Sequence, residues 1–89
     1  MNIDDITYQI RGAVFEVNRV LGHGFVEKVY EKALMIELSS RGLSVESQVP
    51  LKVIYKEKIV GEYFADLLVE GMVIVEIKAV IHLLKGYQA

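Results

Sequence analysis

The stretch Tyr63-Phe64-Ala65-Asp66-Leu67-Leu68-Val69-Glu70-Gly71-Met72-Val73-Ile74-Val75-Glu76-Ile77-Lys78 decides the fold. Two apolar runs meet at Glu70-Gly71, which is typical of a turn, so the stretch predicts two consecutive antiparallel strands. Three charged residues, Asp66, Glu76 and Lys78, interrupt runs that a buried strand would keep apolar. Charges at such positions need a chemical or structural reason.

Divalent-metal chemistry is one such reason. Asp66 and Glu76 supply the hard oxygen ligands that Mg²⁺ and Mn²⁺ prefer. Lys78 lies two residues beyond Glu76, and a continuous strand would place both side chains on one face. An ammonium beside two carboxylates can orient a water or stabilise charge on a phosphodiester under attack. The alternative is a plain ion pair on a solvent-facing edge, worth about 0–1 kcal/mol.

The connection between the two strands decides whether the two carboxylates share a face. A two-residue turn at Glu70-Gly71 would set Ala65 opposite Glu76 and leave Asp66 on the other face. A three-residue connection with a left-handed Gly71, or a bulge nearby, sets both carboxylates on one face. We therefore predict an irregular hairpin.

Length and composition describe one small domain. The chain has 89 residues, 53% of them hydrophobic, which favours association with another chain. The absence of cysteine excludes a thiolate zinc site and suits a reducing cytoplasm. No run of about 18 apolar residues occurs, so we expect no membrane partner. A formal net charge of −2 argues against strong nonspecific binding of nucleic acid.

Two amphipathic helices are predicted first. Asp4 or Asp5 can cap a helix that extends to Leu21, and the Gly22-His23-Gly24 stretch ends it. A second helix runs from about Val26 to Ser40.

Strands follow, because the apolar period changes to two. We predict strands at Val45–Tyr55, Ile59–Val69 and Met72 to about Val80, with Pro50 marking a bend or an edge. Residues 81–89 have no clear assignment and can begin another helix. The predicted fold is α+β, with two N-terminal helices packed on a three-stranded antiparallel sheet.

The chain has one local basic cluster, near the predicted turn Lys56-Glu57-Lys58 and including Lys52. It either solvates a hairpin tip and protects the strands against edge pairing, or contacts a phosphate. The solvated tip is the simpler interpretation. Gly61 can mark a bulge in the following strand.

Several ordered motifs extend across nearly the whole chain. They are Leu21-Gly22-His23, Gly24-Phe25-Val26-Glu27-Lys28-Val29-Tyr30, Glu31-Lys32-Ala33-Leu34, Gln48-Val49-Pro50, Tyr55, Gly61-Glu62-Tyr63, Ala65-Asp66-Leu67-Leu68-Val69 and Val75-Glu76-Ile77-Lys78-Ala79-Val80. In these motifs the chain resembles the bacterial and archaeal family of GxxExxY proteins. That family looks like a branch of the PD-(D/E)XK nuclease superfamily.

The resemblance implies a restriction-endonuclease-like core and assigns roles to five residues. Asp66 and Glu76 would bind Mg²⁺ or Mn²⁺, and Lys78 would position or activate water. Glu27 matches the acid that the first core helix contributes, and would bind the metal directly or through water. Gln48 is a weaker candidate for the rim of the site.

The chain departs from the family pattern at two points. Ala65 stands where the superfamily's name has a proline, at a position that often varies. Family members usually continue past the Glu-x-Lys strand, whereas this chain ends at Ala89, so we expect a core that lacks its C-terminal part. The third strand would then be an apolar edge, through which we expect a homo-oligomer to form.

Three other polar side chains have simple interpretations. Tyr30 can orient a carboxylate, but a core tyrosine with a bonded hydroxyl is simpler. His23 and His82 do not make a zinc site, since they are far apart and no cysteine accompanies them. We interpret them as a turn residue and a helix or loop residue.

Two functions remain open. The first is a metal-dependent nuclease-like domain that hydrolyses DNA or RNA phosphodiesters, favoured by the intact set of Asp66, Glu76 and Lys78. The second is a catalytically inactive module of the same fold that binds nucleic acid or a protein, favoured by the small size and the acidic net charge.

Overall fold

The computed structural model describes residues 1–86. Its elements are α1 (Ile3–Leu21), α2 (Glu27–Ser40), β1 (Val45–Tyr55), β2 (Lys58–Val69), β3 (Val73–Val75) and α3 (Ile77–Gly86). The strands form one antiparallel sheet in the order β1-β2-β3. Helices combined with a three-stranded antiparallel sheet confirm the predicted α+β class. Within the described residues, no helix is both long and apolar enough to cross a membrane.

The helix α1 begins earlier than predicted, because its N-cap is Asn2 rather than Asp4 or Asp5. Asn2 Oδ1 accepts a hydrogen bond from the Asp5 N–H at 2.9 Å, and Asp5 Oδ2 accepts one from the Asn2 N–H at 3.4 Å. This reciprocal capping box makes Asn2 the cap, while Asp5 supplies the carboxylate in the first turn. At the other end, Gly22 has a φ of 71° and terminates the helix.

The hydrophobic core lies between the three helices and the inner half of the sheet. Its buried members recur at the helical period in α1 and alternate along β2. They are Ile6, Ile10, Ala13, Val14, Val17, Tyr30, Leu34, Leu38, Leu43, Leu67, Val69, Val75, Ile77 and Leu84.

The outer half of the β1–β2 hairpin, residues 50–64, forms an arm. Its residues are exposed or half-buried on both faces of the strand pair. At the tip, Lys56 and Glu57 form a two-residue turn with φ values of 47° and 69°. The pairing steps from Val53↔Gly61 to Ile54↔Ile59, so one extra residue bulges next to Gly61, as predicted.

The β2–β3 connection has three residues, which confirms the predicted irregular hairpin. Val69 pairs with Val73, the Met72 N–H donates to the Val69 carbonyl at 3.0 Å, and Gly71 is left-handed with a φ of 64°. Continuing this register by one position sets Asp66 opposite Glu76. The two carboxylates therefore lie side by side across the strands.

The third strand is shorter than predicted. It ends at Val75, and α3 begins at Ile77, where we expected the strand to continue to about Val80. Asp66 Oδ2 accepts the Ile77 N–H at 2.8 Å, and this contact holds the start of the helix. Ile77 and Leu84, seven positions apart, are buried on one helical face.

The short third strand changes the expected sheet edge. The third strand lies at an edge of the sheet and is apolar, as predicted, but it is only three residues long. A homo-oligomer stays a prediction. Residues 81–86 continue α3, and residues 87–89 lie outside the described part of the chain.

Candidate functional site

Three polar side chains, Gln48, Asp66 and Glu76, form a row across the sheet, called here the polar row. The pairs Ser47↔Leu67 and Val49↔Ala65 bracket Gln48 and Asp66, so these two lie opposite each other. Gln48 Nε2 lies 3.5 Å from Asp66 Oδ1, while Asp66 Oδ2 accepts the Ile77 N–H at 2.8 Å. The Ile77 N–H is therefore the strong donor to Asp66, and the Gln48 amide makes a longer contact with its other oxygen.

Glu31 of α2 is tied to this row. Its Oε1 accepts a hydrogen bond from Gln48 Nε2 at 2.9 Å, and its Oε2 accepts one from Lys28 Nζ at 2.9 Å. Only 6% of Glu31 is exposed, so these donors offset the cost of burying a charge. Gln48 thus links the helix carboxylate to the strand carboxylate.

The backbone of Gln48 is left-handed, with a φ of 51°. A non-glycine residue in that region costs on the order of 1–3 kcal/mol, and such residues cluster at functional sites. Here the unusual backbone accompanies an amide that contacts both Glu31 and Asp66. The strained residue therefore lies at the junction between the helix and the strands.

The carboxyl of Glu76 has a raised pKa. Although Glu76 is exposed overall, desolvation raises the pKa of its carboxyl, and the negative charge of Asp66 and a hydrogen bond with Asp66 raise it further. Paired carboxylates of this kind favour a proton or a cation between them.

The carboxylate pair suits a cation such as Mg²⁺. Mg²⁺ is commonly bound through one or two carboxylates, with waters and substrate oxygens completing its shell. A positive ion beside Asp66 and Glu76 would also relieve the repulsion that raises the pKa of Glu76. Among residues 1–86, no group of three or more His, Asp or Glu side chains is arranged to hold a metal. The described site therefore offers a pair of ligands rather than a cage.

Lys78 is not placed as strand alternation predicted. It lies in the first turn of α3, and two residues along a helix are about 200° apart around its axis. The strand-alternation argument therefore does not apply to Lys78, and its role at the site stays a prediction. Its side chain is exposed, two residues from Glu76 along the chain.

Glu27 is the first residue of α2 and is exposed. It lies one helical turn before Glu31 on the same side of the helix. The acid of α2 that the structure connects to the polar row is Glu31. A role for Glu27 stays a prediction.

Sequence reasoning missed Glu31, although a signal was present. Glu31, Leu34 and Leu38 follow the helical repeat and are all buried. A carboxylate on an otherwise apolar face of a helix is as unusual as Asp66 in an apolar strand. In both cases a buried charge needs a bonding partner or a function.

Tyr30 fixes the loop between α1 and α2. Its hydroxyl donates to the Gly22 carbonyl at 2.7 Å and accepts from the Phe25 N–H at 3.4 Å. The two rings also meet edge to face, with centroids 6.2 Å apart. The simpler interpretation of Tyr30 is confirmed. Gly24, with a φ of 97°, supplies the left-handed backbone that the same loop requires.

The histidines lie as predicted. His23 is in the α1–α2 loop and His82 is in α3.

The structure is an α+β domain with a pair of carboxylates on its sheet and a buried helix acid bonded to the same polar row. Comparison with protein families matches residues 4–89 to the PD-(D/E)XK nuclease superfamily, and the chain belongs to that superfamily. The comparisons with curated proteins and with solved structures found no match. Membership of the GxxExxY branch stays a prediction.

Proposed function

We propose that this chain is a GxxExxY-type, metal-dependent nuclease domain that hydrolyses DNA or RNA phosphodiesters. Asp66 and Glu76 would hold Mg²⁺ or Mn²⁺. The observation that carries the proposal is the register that sets Asp66 opposite Glu76, together with the raised pKa of Glu76. Membership of the nuclease superfamily supports it.

The surrounding residues prepare Asp66 for this role. Gln48 contacts one oxygen and the Ile77 N–H the other, so the carboxylate is oriented before any ligand arrives. Glu31 anchors the Gln48 amide in turn. In this proposal Glu31 and Gln48 are positioning residues, and Glu27 contacts water at the rim of the site.

Lys78 would act on the solvent side. A divalent cation held by Asp66 and Glu76 would neutralise charge on the phosphate and lower the pKa of a water bound to it. The ammonium of Lys78, on a flexible four-carbon stem, can then turn toward the phosphate and stabilise its developing charge.

Calorimetric titration with Mg²⁺ and Mn²⁺ tests the metal pair. We expect saturable binding by the natural chain, loss of binding in Asp66→Asn and Glu76→Gln, and no change in the control Glu57→Gln at the arm tip. A nuclease assay in the same buffers should show activity that Lys78→Ala reduces. Absence of saturable binding at millimolar metal would contradict the proposal.

A matched pair of substitutions tests the helix acid. Glu31→Gln removes the charge beside Gln48, whereas Glu27→Gln removes a charge one turn away. We expect the first to weaken metal binding by about 10- to 100-fold, as for other residues that orient ligands. A larger effect of Glu27→Gln would restore Glu27 as the principal helix acid.

The second candidate is an inactive nuclease-fold module that binds nucleic acid or a protein. The observation that favours it is the position of Lys78 in a helix rather than on the Glu76 strand face. Nucleic-acid binding without cleavage in Mg²⁺, unchanged in Lys78→Ala, would support this candidate.

A further inference from the structure

The arm, residues 50–64, presents rings and positive charges to solvent. Its exposed aromatic residues are Tyr55, Tyr63 and Phe64, and its exposed lysines are Lys52, Lys56 and Lys58. The arm carries these three lysines against two glutamates, in a chain whose formal net charge is −2. The arm therefore carries a formal net charge of +1, whereas the rest of the chain carries −3.

Phe64 is the aromatic residue of the arm that adjoins the polar row. Alternate residues of a strand share a face, so Phe64 and Asp66 point to the same side of β2, about 7 Å apart along the strand. Burial agrees, because Ala65 and Leu67 are buried whereas Phe64 is 62% exposed. A flat apolar ring thus lies next to the candidate metal ligands.

A groove accompanies this ring. It has a volume of about 550 Å³ and is lined by Pro50, Leu51, Lys52, Glu62, Tyr63 and Phe64. Pro50 pairs with Phe64, and Lys52 pairs with Glu62, so the groove begins two residues from Asp66 and continues toward the tip. Its volume is within the range of small-ligand pockets and accommodates a nucleobase.

We propose that the arm binds a single strand of nucleic acid, with one base stacked on Phe64 beside the carboxylate pair Asp66 and Glu76, where a bound cation would hold the adjoining phosphate. This inference rests on the proposed function and names its substrate as unpaired DNA or RNA. Exposed aromatic rings bind unpaired bases by stacking, and lysines along the same surface contact the backbone. The bases of a duplex stack on one another, so their faces do not reach a ring on a sheet.

Lys52 lies on the same face as Phe64, where it pairs with Glu62, whereas Lys58 pairs with Tyr55 on the opposite face of the arm. Lys56 Nζ lies 5.5 Å from the centre of the Tyr55 ring, so charge and ring are presented together. A strand leaving Phe64 along the arm therefore meets a cation after the stacked base. Continuity with the candidate metal pair at Asp66 and Glu76, which in the proposed function acts on phosphodiesters, favours nucleic acid over a second copy of the chain.

Fluorescence anisotropy with a labelled single-stranded oligonucleotide of about 16 nucleotides tests the inference, in EDTA so that cleavage does not interfere. We expect Phe64→Ala to weaken binding about 5- to 150-fold, as the loss of one stacked base predicts. Phe64→Tyr, which keeps the ring, should bind like the natural chain. Phe25→Ala, which removes an exposed ring in the α1–α2 loop, is the control and should also bind normally.

Two outcomes would overturn the inference. One is unchanged oligonucleotide binding in Phe64→Ala, or equal affinity of the natural chain for the matching duplex. The other is sedimentation showing a dimer that Phe64→Ala converts to monomer, without binding of the oligonucleotide. In that case a second copy occupies the arm.

The arm and the metal pair can fail separately. The natural chain should bind the oligonucleotide in EDTA, because stacking on Phe64 requires no metal. Binding that depends on Phe64, combined with no metal binding, would support the arm and contradict metal-dependent hydrolysis.

Discussion

The two halves of β2 share one hairpin but occupy different surroundings. From Ala65 to Val69, alternate side chains are buried against the helices, whereas from Lys58 to Phe64 every residue is exposed or half-buried. Both halves pair with β1 in an antiparallel ladder. Strand pairing therefore continues through both halves of the hairpin. Burial of the inner half stabilises the strand pair, so the outer half can remain exposed.

The polar row lies where the two halves meet. Phe64 is the last exposed residue of the outer half, Ala65 is the first buried residue of the inner half, and Asp66 follows Ala65. Its carboxylate is thus supported from the packed side, through Gln48 and Glu31, and open toward the arm. A site at such a border combines rigid ligands with access for a long substrate.

The largest expected effect is a difference in the free energy of unfolding between substitutions in the two halves. Leu67→Ala removes a side chain with 0% exposure and should lower the free energy of unfolding by about 2–5 kcal/mol. The matched change Val60→Ala, at a side chain with 61% exposure, should alter it by less than about 0.5 kcal/mol. Urea unfolding followed by circular dichroism measures both. Similar losses for the two variants would show that the arm is packed in solution.

An intermediate effect is expected in the helical part of the body. Tyr30→Phe keeps the ring and removes the hydroxyl that bonds the Gly22 carbonyl. We expect a loss of about 1 kcal/mol in the free energy of unfolding, because a polar group in a partly buried loop loses its partner. The same urea experiment tests it. An unchanged urea midpoint would mean that water replaces the hydroxyl and that the hydrogen bond to Gly22 does not stabilise the loop.

The smallest expected effect is the pH dependence of stability caused by Glu76, which lies where the two halves meet. The pKa of Glu76 is raised in the folded chain, so the stability that its protonated form contributes is present below the unfolded pKa and lost as pH rises through the folded pKa. At neutral pH, Glu76→Gln should therefore be more stable than the natural chain. The gain should be less than about 1 kcal/mol, because Glu76 is exposed.

Unfolding measured at several pH values checks the sign of this effect. The advantage of Glu76→Gln should shrink as the pH falls below the pKa of Glu76 in the unfolded chain, because both side chains are then neutral. An advantage that grows on acidification would contradict a raised pKa.

Most of the fold was predictable because it depends on local patterns. The helical repeat predicted α1 and α2, and the parity of the carboxylates predicted the three-residue connection at Gly71. The residues 77–80 were mispredicted, since their alternation also fits one turn of helix. The helix is supported by contacts that are distant in sequence, among them the hydrogen bond from the Ile77 N–H to the Asp66 carboxylate, 11 positions away.

The candidate site was predictable only where charges interrupt apolar strands. Asp66 and Glu76 stood out for that reason, and their carboxyl groups are hydrogen-bonded to each other in the structure. Glu31 was overlooked because a helix tolerates charge on most of its surface, so its burial depends on how α2 packs. The argument for the position of Lys78 assumed a continuous strand, whereas the structure has a helix from Ile77 onward.

The order of the strands also bears on how fast the chain folds. Each strand pairs with the one that follows it in sequence, and α1 contacts α2 across the short connection of residues 22–26. Little loop-closure entropy is lost before these contacts form, which is typical of rapid folding. The helical hairpin and the stranded hairpin can each form locally, and α3 can add once Asp66 is in place to receive its first N–H.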